Sequence, residues 1–249
     1  MTPALPIVLI VLFAQMVEAL AGFGSTVLAL TLGANWMPID RFIPILIPVS
    51  LVLSAYLTLR YRNRIRYRLL LGRIIPLTVL GMPLGYLFFG RLSGEGMKTI
   101  FGLFVLAFSL AELARSLHSD PSADGVATPS LRRFTWLWLV AGGVVHGLYA
   151  SGGPLIVYYV GRTGMKKAEF RSTLSALWLV LNLVLLSAHW TAGRINVATL
   201  IWSAGLLLPL AAGIAGGEWL HHRISEQRFR TLVFLLLAFA GAVLAIPKG

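Results

Sequence analysis

The sequence predicts an all-α polytopic membrane protein, and three observations lead to that fold class. Of the 249 residues, 57% are hydrophobic and 12% are charged, and the mean hydropathy is +0.82. This is more apolar surface than a soluble fold of this size can bury. Long apolar runs, which can form membrane-crossing helices, alternate with short polar loops. Cysteine is absent, so disulfides and thiolate metal sites are excluded.

The net charge of +12 is carried mainly by the loops between the apolar runs. Nucleic-acid binding would need a separate basic domain, and none is present, so no nucleic-acid partner is expected. Basic loops between spans are typical of topology signals and of contacts with anionic lipid. The lipid bilayer is therefore an expected partner.

Two of the apolar runs contain glycine-rich breaks. The run 4–32 is broken at 17–26, and the run 134–161 is broken at 145–154. In the second break, glycines free the backbone and Pro154 has no N–H, which predicts a helix end, a short irregular stretch and a new helix with proline in its first turn. Irregular backbone at membrane depth needs protein or a cavity to satisfy it. Broken helices at matching positions in two halves indicate a transporter's binding site.

The other elements complete two four-element halves. Five arginines occupy the loop 60–68, which should face the cytoplasm. A polar stretch, 118–133, is interpreted as a linker between an N-terminal repeat, 1–117, and a C-terminal repeat, 134–249. The remaining predicted spans are 42–59, 69–90, 98–114, 172–190, 197–220 and 229–246.

A weak internal repeat relates the halves. An offset of 128 positions aligns Glu18 with His146 and Gly24 with Gly152. An offset of 132 positions aligns one pair of glycines with another, and in each pair the glycines are four residues apart. Glycines with this spacing lie on one face of a helix, so both pairs are expected to pack closely against other helices. They are Gly81 and Gly85, and Gly213 and Gly217.

The distribution of Lys and Arg distinguishes two topologies. If each broken helix crosses the membrane once, the loop charges divide ten to ten between the two sides. If each turns back as a re-entrant hairpin, fifteen lie on one side and five on the other, with Arg73 left inside the membrane. The positive-inside rule prefers the second arrangement. The sequence therefore predicts three full crossings in each half, with the halves inverted.

Glu18 and His146 are ionisable residues inside apolar runs, at equivalent positions just before each break. An intramembrane charge is costly, so such residues are functional candidates, and we interpret this pair as the proton-coupling groups. The alternative is a structural role, with each side chain hydrogen-bonded inside the bundle.

The breaks also predict an anion site. The backbone N–H groups that begin each half-helix, together with the positive end of its dipole, bind anions without a full charge. Nearby hydroxyl groups can donate further hydrogen bonds. The predicted ligands in the two breaks are Gly22, Gly24, Ser25, Thr26, Ser151, Gly152 and Gly153.

Four further residues are candidates for substrate binding. Arg41 and Arg171 open the helix that follows each break, where anchoring to lipid headgroups is an equally good explanation. Trp178 and Asn182 lie one turn apart on the predicted helix 172–190 and are candidates for lining the cavity, with ordinary helix packing as the favoured alternative.

The two breaks, the four-plus-four repeat and the total length resemble the sulfite exporter TauE/SafE family of membrane permeases over essentially the whole chain. The resemblance implies export of small sulfur-containing anions, such as sulfite or organosulfonates, across the bacterial inner membrane by a multi-pass protein. The first break reads Gly22-Phe23-Gly24-Ser25 and so departs from the glycine triplet expected there.

The favoured hypothesis is a secondary transporter of a small oxyanion that works by alternating access. No P-loop is present, so coupling must come from an ion gradient or from the substrate's own gradient. A passive anion channel is one alternative. An intramembrane enzyme using His146 and Glu18 is another, although no nucleophile elbow or metal-ligand spacing supports it. We expect no cofactor and no metal, and the oligomeric state is left open, including a homodimer.

Overall fold

The computed structural model describes residues 4–92, 94–118, 135–221 and 226–246, and all regular secondary structure in these ranges is helical. Five stretches within them are long and apolar enough to cross a membrane. The all-α polytopic fold class is therefore confirmed. The helices are α1 (Ala4–Ala21), α2 (Ser25–Gly33), α3 (Ile39–Arg60), α4 (Tyr67–Phe89), α5 (Gly94–His118), α6 (Trp136–Tyr149), α7 (Gly153–Val160), α8 (Lys167–Thr191), α9 (Val197–Gly205), α10 (Leu207–His221) and α11 (Glu226–Ala245).

The ends of the predicted spans shift by a few residues in the structure. Helix α8 begins at Lys167, earlier than the predicted 172, because the Glu169 carboxylate accepts a hydrogen bond from the backbone N–H of Lys166 over 3.1 Å and so caps the first turn. His118 ends α5, and the rest of the predicted linker, 119–133, lies outside the described residues.

Two predicted spans contain irregularities next to prolines. Helix α4 includes a π-helical turn at Leu70–Ile74, just before Pro76. The predicted span 197–220 is divided at Leu206 into α9 and α10, three residues before Pro209. A proline lacks an N–H and clashes with the carbonyl group four residues earlier, which favours a widened or broken turn before it.

The two helices of each broken segment pack against each other. In the second segment, a Cβ added at Gly142 of α6 would collide with the Ile156 side chain of α7, and one added at Gly152 would collide with the Gly142 carbonyl oxygen. Gly142 in the middle of α6 therefore packs against Gly152 and the first turn of α7. In the first segment, the backbone N–H of Ser25 reaches back to Glu18 on α1 over 3.1 Å. How these segments sit in a bilayer stays a prediction.

Contacts between the halves are reciprocal. Helix α1 of the first half packs on α10 of the second, and α6 of the second half packs on α4 of the first. Helices α3 and α8 pair with each other, as do α5 and α11. This is the contact pattern expected when a two-fold axis relates equivalent elements.

The glycine pairs lie inside these contacts, which confirms that they are close-packing surfaces. A Cβ added at Gly81 would lie 2.9 Å from the backbone nitrogen of Val144 in α6. A Cβ added at Gly217 would lie 2.5 Å from the Met16 carbonyl oxygen in α1. Only a residue without a side chain allows the helix backbones to approach this closely.

Contacts of charged side chains join helices at both ends of the bundle. One end, which we call the arginine-rich end, joins the start of α4 to the start of α8 through an Arg66–Glu169 ion pair of 2.9 Å. There the Tyr61 hydroxyl also donates to Glu218 of α10 over 3.0 Å. At the opposite end, the Arg194 guanidinium lies 4.6 Å from the Phe89 ring centre. The loop 60–68, with its five arginines, thus lies at the arginine-rich end.

Candidate functional site

A buried pocket lies where the two breaks meet. Its free volume is about 20 Å³, which is enough for about one water molecule. It brings together residues from both breaks and from the middle of α3 and α8. Its lining is Glu18, Gly24, Thr26, Val27, Ser50, His146, Ala150, Ser151, Gly152, Gly153, Trp178 and Asn182.

The first break depends on glycine. Gly22 and Gly24 have φ values of 84° and 105°, in the left-handed region that residues with a side chain rarely adopt. This conformation ends α1 and lets α2 begin at Ser25. The Glu18 side chain, 5% exposed, then accepts hydrogen bonds from both the backbone N–H and the hydroxyl group of Ser25. Glu18 therefore occupies the N-terminus of α2 as an internal acidic cap.

The second break leaves its helix N-terminus without an acidic cap. Ala150 is left-handed, with φ 50°, and Pro154 lies in the first turn of α7, as the sequence predicts. The backbone N–H of Gly152 donates to His146 Nδ1 over 3.3 Å.

Two buried polar atoms beside the second break have no hydrogen-bond partner in the part of the chain that the structure describes. They are the Nε2 atom of His146, a residue that is 2% exposed, and the hydroxyl group of Ser151. Both residues line the pocket. Unpaired buried polar groups beside a helix N-terminus form a natural place for an anion.

Trp178 connects the two breaks. Its indole N–H donates to the carbonyl oxygen of Gly22 in the first break over 2.9 Å. Its ring stacks on His146 before the second break, with the ring centres 5.8 Å apart and the planes 17° apart. Asn182, one turn further along α8, also lines the pocket. Helix α8 thus holds both breaks in a fixed relation.

Four predicted ligands do not line the pocket. Gly22 and Ser25 lie directly behind it, bonded to Trp178 and Glu18. Arg171 is 7% exposed and lies at the arginine-rich end, with its guanidinium 4.9 Å from the Tyr61 ring centre. Arg41 is exposed in a separate depression at the opposite end. Arg41 lies in the first turn of α3 and Arg171 in the second turn of α8, whereas the pocket lies at the middle of these helices.

Ser50 is the polar lining residue that the sequence analysis does not identify. It is buried, and its hydroxyl group has no hydrogen-bond partner among the residues that the structure describes. A sequence signal exists, since Ser50 precedes Trp178 by 128 positions, the offset that aligns Glu18 with His146. Across the described ranges, no group of three or more His, Asp or Glu side chains is placed to hold a metal ion.

Comparison with known proteins assigns the chain to a family. The family model described as sulfite exporter TauE/SafE matches residues 7–244, which include both breaks and all the pocket residues. The chain belongs to the TauE/SafE family. Its membership of this transporter family, expected from the glycine breaks, is therefore confirmed.

A curated relative agrees with the TauE/SafE assignment. The "Probable inner membrane transporter protein TsaS" of Comamonas testosteroni is 25% identical over 180 residues, covering 72% of each chain. No solved structure matches the chain. The prediction of a multi-pass protein of the inner membrane is confirmed by this relative and by the membrane-length helices.

Proposed function

We propose that this TauE/SafE transporter exports a small sulfur oxyanion, such as sulfite or an organosulfonate, through the pocket between the two breaks. The observation that carries the proposal is the N-terminus of α7, which opens into the pocket beside His146 Nε2 and the Ser151 hydroxyl group, two atoms without a hydrogen-bond partner among the described residues. The family description, sulfite exporter, supports the same substrate class.

The donors suit an oxyanion with several oxygens. Backbone N–H groups at the start of α7 and the dipole of that helix favour negative charge. The hydroxyl groups of Thr26, Ser50 and Ser151 can donate from other directions, because they come from three different helices or breaks around the pocket. Donors spread around a centre match the three oxygens of sulfite or of a sulfonate group better than the planar pair of a carboxylate.

Glu18 links anion binding to a proton. An ionised Glu18 already fills the N-terminus of α2 and would repel an anion in the same pocket. Protonation of Glu18 removes this repulsion, so anion and proton each strengthen the binding of the other. His146, on the other wall, is placed to exchange the proton with the bound anion. This is the proposed proton coupling.

Alternating access requires the pocket to open. The present cavity holds about one water molecule, so an oxyanion must displace the surrounding backbone to enter. The reciprocal contacts of α1 with α10 and of α6 with α4 support two broken segments, inverted and re-entrant, that move in turn against the rest of the bundle. The membrane potential favours export only where the transported species carry a net negative charge, by about 2.3 kcal/mol per charge for each 100 mV, so a dianion leaving with one proton is driven outward and a monoanion leaving with one proton is not.

A binding and transport assay tests the proposal. The purified protein should show a raised melting temperature with sulfite, thiosulfate or a simple sulfonate, and a smaller rise with carboxylates, because a ligand of the native state stabilises it. In proteoliposomes, sulfite efflux should saturate with concentration and respond to an imposed pH gradient. Efflux that rises linearly and ignores the gradient would favour a passive channel. The absence of any stabilisation or flux with these anions would reject the proposal.

A further inference from the structure

A second, wholly apolar crevice adjoins the pocket. It is about 30 Å³ in volume and lies between the first break, α2, α5 and α11. Among the described residues, all that line it are apolar or glycine. Its principal walls are Phe23, Val27, Phe108, Pro154, Phe234 and Leu237.

The crevice shares a wall with the pocket between the two breaks, which we call the anion pocket, since Gly24 and Val27 line both. No atom lies within 4 Å of the position that a Cβ on Gly24 would take, so the shared wall is thin at this point. Phe23 lies at the same boundary, with its Cδ2 atom 3.7 Å from the Cβ position of Gly153. A molecule whose charged head lies at the start of α7 can therefore place an attached group across Gly24.

We infer that the crevice receives a short apolar substituent of the transported anion, so that this chain selects alkanesulfonates over taurine. The inference rests on the proposed function, because it takes the oxyanion head to lie in the pocket between the breaks. The crevice lies directly across Gly24 and Val27 from that pocket, and the space beside Gly24 is open, so a group attached to the bound anion is the occupant nearest to hand. The crevice is lined by the side chains of Phe23, Phe108 and Phe234, so the part of the substrate that enters it is apolar.

Propane-1-sulfonate and taurine form the decisive pair. They have the same length, and a methyl group in the first replaces an ammonium group in the second. A crevice without polar partners imposes the full cost of removing that ammonium from water. Each methylene that enters the crevice should instead tighten binding by about fourfold. The volume of about 30 Å³ is comparable to that of one water molecule or methyl group, so the gain should end after a short tail.

Dissociation constants of the full-length protein test the inference. Titration with methanesulfonate, ethanesulfonate, propane-1-sulfonate, pentane-1-sulfonate and taurine should give the tightest binding for ethanesulfonate or propane-1-sulfonate. Taurine should bind at least tenfold more weakly than propane-1-sulfonate. The dissociation constant of methanesulfonate measures binding of the sulfonate group without a longer tail. It therefore shows whether the anion pocket binds a sulfonate.

Two substitutions alter residues that line the crevice and do not line the anion pocket. Val233→Phe, on α11, should fill the crevice and remove the advantage of propane-1-sulfonate over methanesulfonate. Phe108→Ala, on α5, should enlarge it and shift the preference towards pentane-1-sulfonate. Val243→Phe makes the same change as the first variant at an exposed position of α11 and should leave the order of affinities unaltered.

The outcomes separate the two proposals. If methanesulfonate binds but taurine and propane-1-sulfonate bind equally, the inference is overturned and the proposed function stands. The inference is also overturned, and the proposed function stands, if Phe108→Ala leaves the order of affinities unchanged. That result is expected when a lipid acyl chain occupies the crevice. If no oxyanion binds, both proposals fail. If Val233→Phe does not fold, the wild-type pair and Phe108→Ala still decide the question.

Discussion

Trp178 donates its indole N–H to the carbonyl oxygen of Gly22 over 2.9 Å, and this bond ties the first break to α8. The same ring stacks on His146, which precedes the second break. One side chain therefore contacts both irregular segments that form the pocket. A movement of either break must alter a contact of Trp178, which makes this residue the physical connection between the two halves of the site.

Removal of the Trp178 hydrogen bond should weaken both stability and transport. In Trp178→Phe an aromatic ring remains beside His146, but the Gly22 carbonyl loses its donor. An unpaired buried carbonyl costs about 1–3 kcal/mol, so the melting temperature should fall and sulfite efflux should drop at least tenfold. Trp190→Phe, on the same helix but 59% exposed, is the control. Equal behaviour of the two variants would contradict the role given to Trp178.

Neutralisation of Glu18 should remove the pH dependence of transport. Glu18→Gln keeps an oxygen that can accept from Ser25, but the side chain can no longer bind or release a proton. Initial rates of efflux, measured at several pH values, should become nearly constant. Glu95→Gln removes an exposed carboxylate in the first turn of α5 and should retain the wild-type profile. A full pH response in Glu18→Gln would rule out coupling through this residue.

A side chain at Gly153 should block the pocket without unfolding the protein. A Cβ at this position would meet Phe23 at an ordinary contact distance of 3.7 Å, so the helix can tolerate it. The larger side chain of Gly153→Leu would occupy the place proposed for the anion. Gly153→Leu should express normally and lose sulfite-dependent stabilisation, and Gly153→Ala should lose less. Wild-type transport by Gly153→Leu would place the anion elsewhere.

A methyl group at Gly81 should instead destabilise the fold. Its Cβ would collide with the backbone of α6, near Val140 and Val144, and overpacking of this kind costs about 1–3 kcal/mol. The apparent melting temperature of Gly81→Ala should therefore fall by several degrees. Gly72→Ala, on the same helix, meets no atom within 4 Å and serves as the control. If the two variants are equally stable, close packing at Gly81 is not required.

The topology prediction places both chain termini outside the cytoplasm. It follows from the fifteen-to-five division of Lys and Arg, which the positive-inside rule interprets. A phosphatase fused to the C-terminus should be active, and a fluorescent protein fused there should be dark. A fluorescent protein inserted at 119–133 should be bright. The reverse pattern would exclude the inverted arrangement of the halves.

The sequence by itself determined the fold class and the position of both breaks. Hydropathy is a sum over neighbouring residues, and the effects of Gly24, Gly152 and Pro154 on the backbone are local. These features need no knowledge of distant contacts. The repeat offset of 128 also carries information about the pocket, since it aligns Glu18 with His146 and Ser50 with Trp178, and all four residues line it.

Only the tertiary structure decided which polar groups are paired and which are free. The packing of α3 on α8 brings Ser50 and Trp178 to one pocket and leaves Arg171 outside it, packed against Gly22 of the first break. The fold of the first break joins Glu18 to Ser25, whereas His146 Nε2 has no hydrogen-bond partner in the described part of the chain. Such pairings depend on distances between residues that are remote in sequence, and helix packing sets those distances.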